Sequence, residues 1–367
     1  MGLTAGVALL AVQVALASPT ATDFVTPGLT GTPTTLRVGP QRPDLVRYNR
    51  VEALSLGARA QARPRTPLGP LSLTGTVRWG LGDRHLNGRL GAAHETLGRR
   101  IVVSGYHELA AIDERARHFG VANSLMALVV GQDDGDYYRR SGGSAEWAPP
   151  TARPRTYRLR AYAEYHRDVD KRTDVQLPEL WDEQASFRPN IDADEGWEYG
   201  MSVELGPRWG TDLTQTRAGV HIFGQWAVGD AEYARFSLGG EVTLELPARL
   251  SLSLEAQSGT SWGSPSAQRL WYIGGPLTLR GFDPRAAGGE SFGRGRAELE
   301  RSFSFGRLVV FSDAGWAGDR TDIDLDESLR SAGVGLALID GILRVDGAWR
   351  LDDSRRFRLD VYLDQIL

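Results

Sequence analysis

Tyr157-Arg158-Leu159-Arg160-Ala161-Tyr162-Ala163-Glu164-Tyr165-His166 alternates without a break. Side chains on a strand repeat every two residues. Tyr157, Leu159, Ala161, Ala163 and Tyr165 therefore share one face, and Arg158, Arg160, Tyr162, Glu164 and His166 share the other. A soluble sandwich rarely sets so many charges opposite so uniform an apolar row. In an outer-membrane barrel the apolar set meets lipid and the charged set lines a wet interior.

The same pattern recurs outward along the chain. Leu71, Leu73, Gly75, Val77, Trp79 and Leu81 form one row, and Phe236, Leu238, Gly240, Val242, Leu244 and Leu246 form another. Near the end, Leu343, Val345, Gly347 and Trp349 alternate with Arg344, Asp346, Ala348 and Arg350. Phe357, Leu359, Val361 and Leu363 then alternate with Arg356, Arg358, Asp360 and Tyr362. Strand candidates begin near residues 48, 71, 86, 100, 136, 156, 197, 215, 233, 249, 269, 294, 308, 330, 342 and 355. That predicts an all-β fold, a transmembrane antiparallel β-barrel of about sixteen strands, an even number as in bacterial single-chain barrels. The longest expected loops are 109–135 and 168–195, with 317–329 shorter and acidic, and a short helix is expected within 123–130. The Trp residues near strand ends, Trp271 and Trp316 among them, suit interfacial girdles.

Composition narrows the class. The chain has 367 residues, a formal net charge of -4, 44 glycines and no cysteine. The mild charge gives no reason to expect nucleic acid as a partner. Without cysteine there is neither a disulfide scaffold nor a thiol nucleophile. Residues 1–17 are apolar, too short for a spanning helix, and end Ala15-Leu16-Ala17, which suits a cleaved secretory signal. Residues 18–46, rich in Pro, Thr and Gly, read as a linker, leaving 47–367 as the barrel.

One connection is too long for a hairpin. It carries Gly274-Gly275-Pro276-Leu277-Thr278-Leu279-Arg280-Gly281-Phe282 and is followed by Phe311-Ser312-Asp313-Ala314-Gly315. Parity sets Phe311, Asp313 and Gly315 on the inner face of their strand. Glu298 and Glu300 share a face of the strand before it. An arginine inside a barrel needs a carboxylate and an aromatic plane, because an unpaired charge there is costly.

The ordered set of paired glycines, Arg-Gly-Phe, acidic return strand and Phe-x-Asp-x-Gly resembles the BamA/TamA outer-membrane assembly-factor superfamily, the bacterial surface antigen family. The resemblance is specific over the last third of the chain. It implies that the loop, between strands 11 and 12, folds inward. Its lock would be Gly274, Gly275, Arg280, Gly281 and Phe282. The inner-wall partners would be Phe311, Asp313 and Gly315, with Glu298 and Glu300 as secondary contacts of Arg280. It also implies a weak seam between the first and last strands, from about Tyr48 and Phe357. Family members usually carry POTRA domains before the barrel, and 18–46 is too short to form one. The expectation is a barrel-only member, an incomplete gene start, or a separate protein that supplies the periplasmic part. The terminal Leu367 also departs from the aromatic that commonly closes such barrels.

No enzyme site stands out. His85, His94, His107, His118, His166 and His221 lack metal-ligand spacing, and no serine has a nucleophile-elbow context. Glu164 with His166 is the nearest approach to a catalytic pair, and a solvated interior residue is the plainer expectation for His166. The acidic runs Asp133-Asp134-Gly135-Asp136, Asp192-Ala193-Asp194-Glu195 and Asp322–Asp326 match no EF-hand spacing and are expected as solvated loop acids. No cofactor is expected. The function implied is insertion or transport of protein or lipid at the outer membrane. Unfolded outer-membrane or secreted clients, outer-membrane lipids and lipopolysaccharide would be the partners. The alternative is a passive channel or structural barrel without assembly activity.

Overall fold

The computed structural model describes residues 24–27, 33–38, 45–67, 69–114, 118–180, 182, 184–210, 216–338, 343–352 and 354–363. The expected signal segment 1–17 and the terminal Leu367 lie outside the described residues. In chain order the strands are β1 (Phe24–Pro27), β2 (Pro33–Val38), β3 (Val46–Asn49), β4 (Ala53–Ala62), β5 (Arg65–Thr66), β6 (Gly69–Gly80), β7 (Leu86–Glu95), β8 (Arg100–Ala111), β9 (Tyr137–Ala148), β10 (Tyr157–Arg167) and β11 (Gly196–Leu205). They continue with β12 (Arg208–Trp209), β13 (Arg217–Gly229), β14 (Glu232–Leu246), β15 (Leu250–Ser264), β16 (Trp271–Ile273), β17 (Ala287–Gly289), β18 (Ser291–Phe303), β19 (Gly306–Gly318), β20 (Leu329–Leu338), β21 (Leu343–Arg350) and β22 (Phe357–Leu363). One α-helix, α1, spans Val121–Val130. No helix among the described residues is long and apolar enough to cross a membrane.

All but β16 and β17 belong to one sheet of twenty segments, and every pairing given by register is antiparallel. Setting aside β1, β2 and the two-residue β5 and β12 leaves sixteen strands. That agrees with the expected total, but the membership differs. The candidate near 269 is β16, part of a loop with its own two-stranded sheet. The candidate near 48 is two strands, β3 and β4, folded at Arg50-Val51-Glu52. Asn49 marks the turn, its Oδ1 accepting from the Val51 and Glu52 N–H groups at 3.0 and 2.8 Å. Within 18–46, β1 and β2 form a hairpin, and β2 pairs with β4.

The chain divides into two compact units, Met1–Pro154 with Arg160–Tyr199, and Arg155–Leu159 with Gly200–Leu367. In the first, each long strand exposes its apolar row and covers its polar row. Leu90 is 71% exposed while Glu108, Arg140 and Glu164 on neighbouring strands are buried. The long loops 112–136 and 168–195 pack over the β3–β4 bend, where Tyr48, Ala127, Leu128 and Phe187 form a small apolar core. In the second unit the same inversion holds: Val310 is 53% exposed and Asp313, three residues on, is buried. Apolar outside and charged inside is the pattern of a wall that faces lipid. Trp79, Trp147, Trp197, Trp226, Trp262 and Trp349 stand on the exposed faces. Trp271 and Trp316 do not; both are buried, and Trp271 packs with Ile273 and Phe292.

Candidate functional site

The loop from 265 to 290 builds its own scaffold before it presents the arginine. Trp271 pairs with Gly289 and Ile273 with Ala287, forming the β16–β17 ribbon. Trp271, Ile273 and Phe292 form its core, against Phe223 and Leu329. The ribbon ends at Gly274 and Gly275, with φ of +123° and +84°. Both values favour glycine, and a Cβ on Gly274 would collide with the Asp283 carbonyl. The tip then closes on itself. Gly275 N–H donates to the Phe282 carbonyl at 2.9 Å and Leu279 N–H to the Gly275 carbonyl at 2.9 Å. Thr278 Oγ1 donates to the Gly274 carbonyl at 2.7 Å.

Arg280 projects from this tip and is completely buried. Its Nε donates to Asp313 Oδ2 at 2.8 Å and an Nη to Asp313 Oδ1 at 2.5 Å, a two-pronged match to one carboxylate. The other Nη reaches Glu298 and lies 3.1 Å from Asp346 Oδ2. The Arg280 backbone N–H also donates to Asp313, at 3.1 Å. The guanidinium carbon lies 3.6 Å from the centre of the Phe311 ring. Phe311 fits because Gly333, opposite it on β20, leaves room for the ring. Gly315 likewise leaves room for Ile273 of the loop.

The network extends past the residues the sequence singled out. Arg344 pairs with Glu298 at 2.8 Å and Asp346 at 3.0 Å, Arg296 with Asp313 at 3.3 Å, and Arg358 with Asp360 at 2.6 Å. Tyr362 donates its hydroxyl to Asp346 at 2.6 Å. The cluster thus holds four arginines, at 280, 296, 344 and 358, and four carboxylates, at 298, 313, 346 and 360, so its formal charge cancels. Balanced charge is what makes a buried ionic group tolerable.

The rest of the tip holds the last two strands. Gly281 has φ of +82°, and its N–H points to Asp360 Oδ2 at 3.4 Å while its carbonyl accepts from Arg350 Nε at 2.8 Å. Phe282 is buried under the Arg350 guanidinium, and exposed Asp283 accepts from both Arg350 and Arg358. Of the two glutamates expected as secondary contacts, Glu298 reaches Arg280 and Glu300 does not: Glu300 pairs with Arg307 at 3.2 Å and Arg344 at 3.9 Å. Asp346, Arg344, Arg358 and Asp360 were visible as the charged row of their strands, but nothing local distinguished them from any other such row.

A second buried lock lies in the first unit. Arg50, at the β3–β4 bend, is also completely buried. Its side chain donates to Asp136 Oδ1 at 2.9 Å and to the Asp133 carbonyl at 2.9 Å, and its backbone N–H to Asp133 Oδ2 at 2.9 Å. Its carbonyl accepts from Arg172 N–H at 2.8 Å, in the other loop. Arg188 adds pairs to Asp136, and Asn123 and Tyr137 donate to Asp133. Asp133 and Asp136 are therefore neither solvated nor arranged for a metal, whereas Asp322–Asp326 are exposed as expected. Nearby His118 is buried as well, and burial pushes its imidazole below the usual range against the opposing pull of Asp113, Asp133 and Asp136.

His166 departs from expectation. It is 2% exposed, 3.2 Å from Glu164 and 3.9 Å from Glu198, with Tyr138 edge-on at 4.8 Å. Glu164 is itself bound by Arg160 and Tyr106. A closely packed polar wall, rather than solvent, surrounds the pair. Among the described residues no group of His and carboxylates is arranged to hold a metal ion.

Neither a protein-family model nor a curated protein sequence matches the chain. Solved structures do. The chain resembles BamA from Haemophilus ducreyi lacking POTRA domains 1–3, with a TM-score of 0.55 and 14% identity over 86% of this chain and 68% of that one. CdiB from Escherichia coli aligns over 96% of this chain and 69% of that one, at 15% identity and a TM-score of 0.46. CdiB from Acinetobacter baumannii aligns over 87% and 58%, at 14% identity and a TM-score of 0.41. The BamA match shows the fold: an all-β antiparallel sheet of the BamA barrel kind.

Proposed function

We propose that the chain is a bacterial outer-membrane barrel that assists insertion or transport of protein or lipid, with loop 265–290 as its internal working part. The observation that carries this reading is Arg280, buried without exposure and bonded to carboxylates on three strands, β18, β19 and β21. A loop tied at one point to so many strands reports their arrangement, and its release would loosen the last two strands together. The fold likeness to BamA and the exposed apolar faces support membrane placement. We read the chain as non-catalytic and without a cofactor. Its partners would be membrane lipid, lipopolysaccharide and unfolded client protein, with no role for nucleic acid.

The test is a deletion strain, complemented with the parent chain, Arg280→Ala or Asp313→Asn. Outer-membrane protein content and lipid asymmetry are measured together. A specific loss of barrels, secreted proteins or surface lipid, restored by the parent and not by inserted variants, supports the reading. An unchanged envelope refutes it. The second reading, a passive channel or structural barrel, is favoured by the exact cancellation of charge in the lock, which suits a fixed brace as well as a moving one. Planar-bilayer recording separates the two: steady ohmic pores with no effect on client proteins favour the passive barrel.

A further inference from the structure

We propose that the exposed face of the first unit carries a binding site for the phosphoryl group of a membrane lipid, formed by His85, His107 and Arg167 above a shelf of Tyr165, Trp197 and Tyr199. These residues lie at one end of consecutive strands, the end joined by the long loops 112–136 and 168–195. His85 precedes β7, His107 is near the end of β8, and Ser141 lies directly opposite it on β9. Tyr165 and Arg167 end β10, and Trp197 and Tyr199 begin β11.

Ring contacts gather them into two groups, a histidine pair and an aromatic shelf, and the Arg167 charge reaches His107. The His85 and His107 rings are 6.1 Å apart, and His107 Nδ1 bonds Ser141 Oγ at 2.6 Å. Tyr165 meets Trp197 edge-on at 5.5 Å, and Trp197 stacks on Tyr199 at 5.8 Å and 11°. The Arg167 guanidinium lies 5.5 Å from the Tyr165 ring centre. Exposed aromatic rings on a lipid-facing wall settle at the headgroup boundary, apolar body inward and polar edge outward. A cation placed just beyond them, toward the loops, is at phosphate depth.

The charge at this place is available. Among the described residues no carboxylate pairs with Arg167 or with Arg84, the exposed residue beside His85. Of the acids that flank these groups, Asp192, Asp194 and Glu195 before Trp197 are exposed, and three others have partners. Asp83 accepts from Arg139 at 2.6 Å, Asp168 from the Ala193 N–H at 2.8 Å, and Asp170 pairs with Arg172 at 3.2 Å. An arginine left unpaired on an aromatic shelf is suited to phosphate, which takes two N–H donors from one guanidinium. The imidazoles add N–H donors beside the guanidinium. The site rests on the membrane placement proposed above but not on any action of the Arg280 lock.

The test uses the full chain in detergent micelles, with retained lipid counted by native mass spectrometry. The probes are bisphosphorylated lipid A, its dephosphorylated form and inorganic phosphate. The parent chain should retain the phosphorylated form about tenfold more tightly, and Arg167→Ala with His85→Ala should erase that preference while leaving the dephosphorylated form unchanged. Arg167→Lys should keep most of it. Equal retention of the two lipids by the parent, or an undiminished preference in the double variant, overturns the site. Displacement of lipid by inorganic phosphate at equal concentration overturns the lipid assignment. If the double variant fails to insert, Arg167→Gln alone is read in the same way. Arg280→Ala should leave lipid retention untouched, so failure of the transport reading and failure of this site remain distinguishable.

Discussion

Removing the Arg280 side chain should unseat the loop without dissolving the strands beneath it. Arg280→Ala leaves Asp313, Glu298 and Asp346 without their shared cation, in a setting where Asp313 and Asp346 are fully covered. Breaking a buried ion pair by deleting one partner costs about 3–5 kcal/mol. Arg296 and Arg344 stay beside the same carboxylates, so the lower end is the better figure. At about 1.4 kcal/mol per tenfold, about 3 kcal/mol shifts the ratio of seated to unseated loop by roughly a hundredfold. The readout is hydrogen exchange of the Gly275, Leu279 and Ala286 amides, all bonded only within the loop. Their exchange should quicken by roughly a hundredfold, while β14 and β15 amides keep their protection. Arg280→Lys keeps the charge but loses the fork, and should fall between. If an inserted Arg280→Ala protein exchanges within about threefold of the parent, the ionic tether is not what seats the loop. The packing of Trp271, Ile273, Leu279 and Phe282 would then be sufficient.

Further outcomes follow from the same geometry. Gly281→Ala should destabilise the tip by about 1–2 kcal/mol, since φ is +82° and the new Cβ would press on Ala348; thermal unfolding of the loop by exchange reads it. Arg50→Ala should expose loops 112–136 and 168–195 to added protease, and Arg188→Ala should do so less, because Arg188 is partly exposed. Chelation with EDTA should leave the melting temperature unchanged, since Asp133 and Asp136 are already neutralised by arginine; a drop of several degrees would reveal a cation there. Burial holds the His118 imidazole below the ordinary histidine value of about 6.5, so below that pH the unfolded loop takes up a proton that the folded one refuses. Loop stability should therefore fall as pH drops below about 6.5, and His118→Gln should flatten that dependence in pH-resolved proteolysis.

Much of this was legible in the chain because the wall is built by a period of two. Phe311 and Asp313 share a face by parity alone, and the loop motif pointed Arg280 at them. What parity could not give was reach. Asp346 and Asp360 sit in strands whose charged rows look like every other charged row, and only the path of the tip selects them. The β3–β4 bend escaped for a different reason. A charged turn at Arg50-Val51-Glu52 suggests solvent, whereas distant loops cover it and supply Asp133, Asp136 and Asn190. Burial imposed by segments more than eighty residues away leaves no local trace. The 269 strand misled because a loop with its own ribbon carries the same alternation as the wall.

The bond from Gly281 N–H to Asp360 spans 79 residues. It gives the molecule a chronology. A nascent or truncated chain that ends before β22 can form the loop's ribbon and its grip on Asp313, but not the contacts of Gly281 and Asp283 with Asp360 and Arg358. Full seating of the tip is thus a record that the final strand has arrived, so the loop acts as a completion mark on the protein's own assembly.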